Sequence, residues 1–200
     1  MKSPRLALIA SLLIPIASGQ AQEDKPFQLK SDVAGEALTT FMANHQDAEC
    51  EKKIDHAQDC YSYSGFTFLG AEFKPQKGCS LKSDYGKCKN GSIGAHFVSD
   101  KLSWVAYHFA YSVGFGDDLA IAISAKYGDP VPHVAVGTPD PVVRNGHLAF
   151  CSFPLGRDHL YFGGYSWENQ VSRLEISCAS DSENNYVILY ARADGSKTDF

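Results

Sequence analysis

The chain has 200 residues, of which 44% are hydrophobic, 20% charged and 12% aromatic, and its formal net charge is -5. This composition is typical of a folded globular protein and excludes a disordered chain. The acidic balance also argues against nucleic acid and anionic membrane surfaces as partners, because both carry the same sign of charge.

The N-terminus has the pattern of an export signal. Lys2 and Arg5 precede an apolar run over 6–16, and the small residues Gly19 and Ala21 follow it. This pattern predicts a signal peptide over 1–21, cleaved after Ala21, with cleavage after Gly19 as the alternative. The run is too short to span a membrane, which takes about 20 apolar residues. We therefore expect an exported chain, in the periplasm or the extracellular medium, with 16 basic and 23 acidic residues and a charge of -7.

Six cysteines lie beyond the predicted signal, and an even number in an exported chain predicts disulfide bonds. Local spacing favours the pairs Cys50–Cys60, Cys79–Cys88 and Cys151–Cys178. The alternative, a metal site, lacks the usual Cys-x-x-Cys spacing. In a simple meander the last two cysteines would lie two strands apart, about 9.5 Å, which is too far for a bond. If that bond forms, the segment 157–166 cannot lie between their two strands at that level.

The first half of the chain predicts a helix followed by strands. Residues 22–30 are polar and are expected to form a flexible arm. Ser31 and Asp32 are typical helix-capping residues, and the apolar spacing that follows predicts a helix ending near His45. A polar stretch with a cysteine loop over 46–59, a strand over 65–73 and a second cysteine loop over 76–91 complete this part. A hairpin then follows, with strands at 92–98 and 102–111, and it places Trp104 and Val105 on opposite faces.

The second half repeats this order. A helical pattern runs from Phe115 to Tyr127, with Asp117 and Asp118 at its start and Gly128 at its end. The proline-rich segment 129–141 is expected to be an irregular connector. Strand patterns follow, at 146–153, 158–167, 171–178 and 185–192.

These elements predict an α+β protein with antiparallel sheet packed by two helices and stapled by disulfides. The repeated order suggests two tandem helix-plus-sheet units, 31–112 and 113–200, unless the two halves form one compact domain.

Several segments also resemble a family of small exported proteins, typified by the β-lactamase inhibitor protein and the outer-membrane assembly lipoproteins. The resemblance is carried by the helix over 33–42 that leads to Cys50 and Cys60, the hairpin over 97–105, the segment 119–130 and the turn 167–170. It implies an exported α+β protein with a binding or inhibitory role. The lipid-modified cysteine that follows the signal in the lipoproteins has no counterpart here.

The sequence contains only weak indications of a catalytic site. Asp158 next to His159 could orient an imidazole base, and His133, His147 and His159 could be imagined as a metal triad. No Gly-x-Ser-x-Gly, His-Glu-x-x-His or phosphate-binding glycine loop is present. We therefore assign no catalytic, cofactor-binding or metal-binding residue.

The sequence indicates a binding role more clearly than a catalytic one, since its ten tyrosines and two tryptophans supply amphipathic contact area. Alternation places Tyr161, Tyr165 and Trp167 on one side of a strand. This trio is a candidate binding surface if exposed, and part of the core if the second helix covers it. The sequence thus predicts a binding or inhibitory module for a protein or a small ligand, without catalytic chemistry. The alternative is a secreted hydrolase whose site is assembled from distant residues, and the oligomeric state is not set by the sequence.

Overall fold

The computed structural model describes residues 25–82, 88–110, 115–134, 142–144, 147–149, 160–180 and 185–193. The predicted signal peptide and Cys151 lie outside these residues. The helices are α1 Leu38–Asn44 and α2 Phe115–Tyr127. The strands are β1 Gln28–Leu29, β2 Asp32–Val33, β3 Glu49–Lys52, β4 Ala57–Ser62, β5 Phe66–Phe68, β6 Ala71–Phe73, β7 Ile93–Val98, β8 Lys101–Ala110, β9 Val131–Val134, β10 Val142–Arg144, β11 His147–Ala149, β12 Leu160–Glu168, β13 Ser172–Ser180 and β14 Asn185–Ala193. The predicted α+β fold with antiparallel sheets is confirmed.

One antiparallel sheet of eight strands joins the two halves of the chain. Its spatial order is β3-β4-β7-β8-β14-β13-β12-β9. Each half contributes four strands, which run in chain order from an outer edge of the sheet to its centre. The last strand of each half, β8 and β14, pair antiparallel at the centre. In each half, one helix precedes these four strands along the chain.

The core lies on the face of the sheet that the helices cover. Phe41 of α1 packs against Phe97 of β7, with ring centroids 5.4 Å apart. Near the centre, the small hairpin β5–β6 adds Phe66 and Phe73, whose rings meet Phe109 edge-on at 5.1 and 4.8 Å. These contacts bury large apolar areas, which is the main source of stability for such a layer.

Helix α2 confirms the prediction at both ends. It begins at Phe115, with Asp117 and Asp118 in its first turn, where negative charge favours the helix dipole. It ends at Tyr127, because Gly128 adopts a positive φ of 82° that suits a helix C-terminus.

The hairpin β7–β8 is also confirmed. Its turn residues Ser99 and Asp100 both have positive φ, as a two-residue hairpin turn requires. The register shifts after His96, so that Ser103 is the extra residue of a bulge in β8. Val105 is fully buried beneath the helices, whereas Trp104 remains partly exposed on the other face.

The predicted start of the first helix is wrong. Ser31 and Asp32 do not cap a helix, because Lys30 adopts a positive φ in the turn that folds residues 28–33 into the hairpin β1–β2. The helix begins only at Leu38. The flexible arm expected over 22–30 is also corrected within the described residues, because Phe27 and Leu29 are buried in the core.

Three further segments differ from expectation. The polar stretch over 46–59 contains β3 and the first half of β4, held by the predicted bond between Cys50 and Cys60, which lie directly opposite each other. The strand expected over 65–73 is the hairpin β5–β6, which turns at Leu69 and Gly70. In the proline-rich connector, Val131–Val134 forms the edge strand β9. In all three segments the sequence pattern is short or lacks an apolar period. Their strand conformation therefore depends on pairing with neighbouring strands.

The sheet has two edges, formed by β3 and β9. Strand β3 has only four residues, and three of them are the charged Glu49, Glu51 and Lys52. Strand β9 contains Pro132, which has no backbone N–H to offer a neighbour.

The predicted bond between Cys79 and Cys88 is present, with Cα atoms 5.6 Å apart. Cys178 is buried in β13, and its pairing with Cys151 stays a prediction. Within the described residues, no helix is long and apolar enough to cross a membrane.

Candidate binding face of the sheet

The aromatic trio proposed from the sequence does not supply the expected surface at its two described members. Tyr165 is 7% exposed and Trp167 is 4% exposed, because both lie beneath α2. The Tyr165 hydroxyl donates a hydrogen bond to Asp117, and the Trp167 indole N–H donates one to the carbonyl of Gly128. They belong to the core. The side chain of Tyr161 lies outside the described residues.

The opposite face of the sheet carries a different set of side chains. Strand register places one residue from each of seven neighbouring strands in a single line across the sheet. Directly opposite residues in antiparallel strands point to the same face, with Cβ atoms about 5 Å apart. We call this line the transverse row, and it consists of Glu51, Asp59, His96, Trp104, Arg192, Arg173 and Glu168.

Aromatic rings occupy the centre of the transverse row. The His96 ring stacks on the Trp104 indole, with centroids 5.8 Å apart and planes inclined by 13°. Tyr190, two residues before Arg192 on β14 and on the same face, meets Trp104 edge-on at 6.3 Å. His96 Nδ1 lies 2.6 Å from Asp59 Oδ1, which fixes the ring over the sheet. His96 keeps 26% of its side chain exposed, so this aromatic group is accessible to a partner.

The two sides of the aromatic centre differ in charge. At the β3–β4 end, the Glu51 and Asp59 carboxylates lie 2.8 and 3.7 Å from Lys53 Nζ. The hydrogen bond that Lys53 donates to Glu51, together with the charges of both acids, raises the pKa of Lys53. On the other side, Arg192 and Arg173 lie directly opposite each other on β14 and β13, Glu168 ends the row, and Arg173 Nε lies 3.3 Å from Glu175 Oε2. Carboxylates therefore predominate on the β3–β4 side of the aromatic centre, whereas guanidinium groups and carboxylates balance on the other side.

The buried polar cluster on the helix side of the sheet is the strongest alternative site. Asp32 is completely buried and accepts hydrogen bonds from Tyr107 at 2.6 Å and from His45 Nε2 at 2.8 Å. Burial, reinforced by the negative charge of Asp32, raises the pKa of Tyr107. The cluster ties the N-terminal segment to α1 and β8 and is closed to solvent. Its geometry is that of a satisfied internal network, as buried charges require.

One serine lies within hydrogen-bond distance of a histidine. The Ser166 hydroxyl and His133 Nε2 are 2.6 Å apart, on the same face as the transverse row. Arg173 Nη2 lies 3.5 Å from the same ring nitrogen. Ser166 is only 4% exposed, and no carboxylate of the described residues bonds the other ring nitrogen of His133. His147 and His159, the other histidines considered for a metal, have no described side chains. Among the described residues, no three metal-ligating side chains come together.

A polar groove lies at one end of the sheet, between the turns of the β3–β4 and β7–β8 hairpins. It encloses about 510 Å³ and is lined by Lys52, Lys53, His56, Ala57, Gln58, Ser99 and Asp100. Exposed lysine side chains and turn backbone make it a hydrated groove, without the apolar walls typical of small-ligand sites.

Sequence reasoning identified the alternation that places Trp104 on one face of β8, but it chose the trio on β12 as the surface. The available signal was the pattern around Trp104, since β8 alternates apolar residues on one face with Trp104 and His108 on the other. Which face the helices cover is a tertiary fact that alternation alone does not determine. No protein-family model, curated protein or solved structure matches this chain.

Proposed function

We propose that this chain is an exported protein-binding module of inhibitory type, without catalytic chemistry of its own, and that the sheet face bearing the transverse row is its docking surface. The observation that supports this proposal is the row itself. It combines an aromatic centre with charges of both signs on a rigid, partly exposed sheet.

A sheet face suits recognition because its side chains are held in a fixed array. Within the described residues, both helices and the two small hairpins β1–β2 and β5–β6 pack on the opposite face. Trp and Tyr bury large areas at interfaces with little loss of rotamer freedom, and a few such anchors usually dominate the binding energy. Among the described residues, Trp104, Tyr190 and Tyr61 are aromatic anchors of this face.

The exported location is part of the same proposal. The two described disulfides support it, because such bonds persist mainly in oxidising compartments. N-terminal sequencing of protein recovered from outside the cytoplasm should give a chain beginning at Gln22. A chain that retains residues 1–21 and stays in the cytoplasm would contradict export.

The binding function can be tested with three immobilised proteins: the wild type, Trp104→Ala and Ile121→Ala. Ile121 is an exposed apolar residue of α2, on the helix side, and serves as the matched control. A partner from the exported proteins of the source cells should be retained by the wild type and by Ile121→Ala, and lost from Trp104→Ala. The purified partner should then bind with one-to-one stoichiometry, and Trp104→Ala should weaken binding about 30-fold, as expected for an anchor worth about 2 kcal/mol. Equal retention by all three proteins, or an effect limited to Ile121→Ala, would contradict the proposal.

A hydrolase is the second candidate, and the short contact between Ser166 and His133 is the observation that favours it. Incubation with a fluorophosphonate probe, which reacts with activated serines, distinguishes the two. We expect no labelling. Labelling of the wild type that disappears in both Ser166→Ala and His133→Ala, with folding intact by circular dichroism, would favour the hydrolase.

A further inference from the structure

The distribution of charge along the transverse row indicates which kind of partner the face accepts. The inference rests on the proposed binding function and adds the chemistry of the contact. We infer that the acidic end of the row, with the neighbouring Trp104, receives a basic side chain, Arg or Lys, from a segment of a protein partner.

The first support is the local charge. Glu49, Glu51 and Asp59 place three carboxylates on this face of the adjacent strands β3 and β4. Lys53 is the one described cation that bridges two of them, Glu51 and Asp59, and its amino group is solvated. The carboxylates therefore outnumber the local cation, and an incoming positive charge completes the balance.

The second support is the position of the aromatic rings. Strand neighbours lie about 4.8 Å apart, so Trp104 is about 10 Å from Asp59 across the sheet, with His96 between them. The side chain of an arginine can cover this distance, laying its apolar stem or its planar guanidinium on the indole while the charge faces the carboxylates. The same distance is available to a lysine stem.

The third support is the opposite end of the row. There Arg192 and Arg173 lie beside Glu168 of the row, and Arg173 Nε lies 3.3 Å from Glu175 Oε2. The charges on that side balance, so the excess of carboxylates that attracts a basic side chain lies at the β3–β4 end. The net charge of -5 for the whole chain also favours approach of a basic partner over an acidic one.

The chain carries its own reporter for this contact, because it contains only two tryptophans. Trp104 lies in the row, whereas Trp167 is buried beneath α2. In a proton–nitrogen NMR spectrum of the full oxidised chain, the two indole N–H signals can be followed separately. The probe is arginine blocked at both ends, N-acetyl-arginine methylamide, and blocked glutamate is the counter-probe at the same ionic strength.

We expect the Trp104 signal to shift with saturation at millimolar blocked arginine while the Trp167 signal stays in place. Blocked glutamate should leave both signals unchanged. Glu51→Gln should weaken the arginine interaction at least three-fold. Glu72→Gln is the matched control, because Glu72 is 61% exposed and bonded to Lys74 at 2.8 Å, just as Glu51 is 60% exposed and bonded to Lys53 at 2.8 Å.

Lys53→Gln separates a binding role of the carboxylates from a purely structural one, because a structural role would not strengthen binding when the cation is removed. Removing the cation that already occupies the carboxylates should strengthen binding of blocked arginine, by about two-fold or more. No saturable shift of Trp104, equal shifts with both probes, or weaker binding in Lys53→Gln would overturn the inference. If those results appear while Trp104→Ala still abolishes binding of a purified partner, the face remains the docking surface and only its preference for a basic group is refuted.

Discussion

The indole N–H of Trp167 donates a 2.8 Å hydrogen bond to the carbonyl oxygen of Gly128, the residue that follows the long helix. This bond connects the end of α2 to strand β12 of the sheet beneath it. It turns an aromatic residue that could have served as a surface anchor into a structural clamp.

Trp167→Phe should therefore lower the free energy of unfolding by about 1 to 2 kcal/mol, because one hydrogen bond and part of a buried ring are lost. Urea unfolding followed by circular dichroism measures the change. Trp104→Phe is the control and should alter stability by less than about 0.5 kcal/mol, since its ring is partly exposed. A larger loss in Trp104→Phe than in Trp167→Phe would contradict the assignment of the two residues.

A glycine is required at position 164, where β12 pairs closely with β13. A Cβ atom at this position would lie 1.8 Å from the carbonyl oxygen of Ile176, a backbone atom that cannot move without breaking the strand pairing. Gly164→Ala should destabilise the protein by at least about 3 kcal/mol or prevent folding. At Gly94, also in the sheet, a Cβ would meet only side-chain atoms, a ring carbon of Tyr61 at 3.5 Å and Nε2 of His108 at 3.7 Å. Gly94→Ala should lower the free energy of unfolding by less than about 1 kcal/mol. Similar losses of stability in Gly94→Ala and Gly164→Ala would contradict the close contact between Gly164 and Ile176.

The disulfide bonds should contribute separately to stability. Removing the bond between Cys50 and Cys60 by double substitution to alanine should cost about 2 to 3 kcal/mol in the chain-entropy model, and removing the bond between Cys79 and Cys88 about the same. Peptide mapping without reduction should recover both pairs, together with Cys151 bonded to Cys178. Recovery of Cys178 bonded to any other cysteine would refute the third pairing.

Glu36 should give the stability a characteristic pH dependence. Burial, with the charge of Asp32 in addition, raises the pKa of Glu36 from 4.5 to about 7. Between these values the folded protein holds a proton that the unfolded chain has released, so this contribution to stability falls as the pH rises. Glu36→Gln cannot ionise, and its advantage over the wild type should grow from pH 4.5 to pH 7 and then level off.

Thermal melts of the two proteins across this range measure the difference, and we expect a relative rise of a few degrees in Tm. Burial lowers the pKa of His108 to about 3, so the contribution of His108 to stability rises with pH between pH 3 and 6.5, opposite to that of Glu36. Subtracting the wild-type Tm from the Tm of Glu36→Gln at each pH removes the His108 contribution, which both proteins share. Glu72→Gln, an exposed site, should give a flat difference. An equal effect of Glu36→Gln at pH 5 and pH 8 would contradict the raised pKa.

The parts of the fold that sequence reasoning predicted are those with strong local signals. Helix α2 has an apolar pattern, acids at its start and Gly128 at its end, so its bounds followed from local chemistry. The hairpin β7–β8 has apolar alternation on both sides of a short polar turn. In contrast, Asp32 has the composition of a helix cap, but tertiary contacts with His45 and Tyr107 use its carboxylate as a buried acceptor.

Strand β3 could not be predicted, because its sequence carries no local strand pattern. The sequence Glu-Cys-Glu-Lys has no apolar period, and its strand conformation depends on pairing with β4 and on the disulfide. The candidate site has the same origin, because Glu51, Asp59, His96 and Trp104 come from four strands spread over 54 positions and meet only through sheet register. Local patterns contain no information about that register, and so the transverse row could not be predicted.

The two outer strands of the sheet have a consequence for how the protein behaves when crowded. Sheets polymerise when an outer strand presents an unobstructed row of backbone donors and acceptors to another molecule. Here β3 is short and charged, and its disulfide holds it onto β4, while Pro132 interrupts the donors of β9. Growth of the sheet into fibrils is therefore disfavoured from either side. A molecule built in this way can be concentrated without growth of its sheet at either edge, while His96 and Trp104 stay partly exposed on the face of the transverse row.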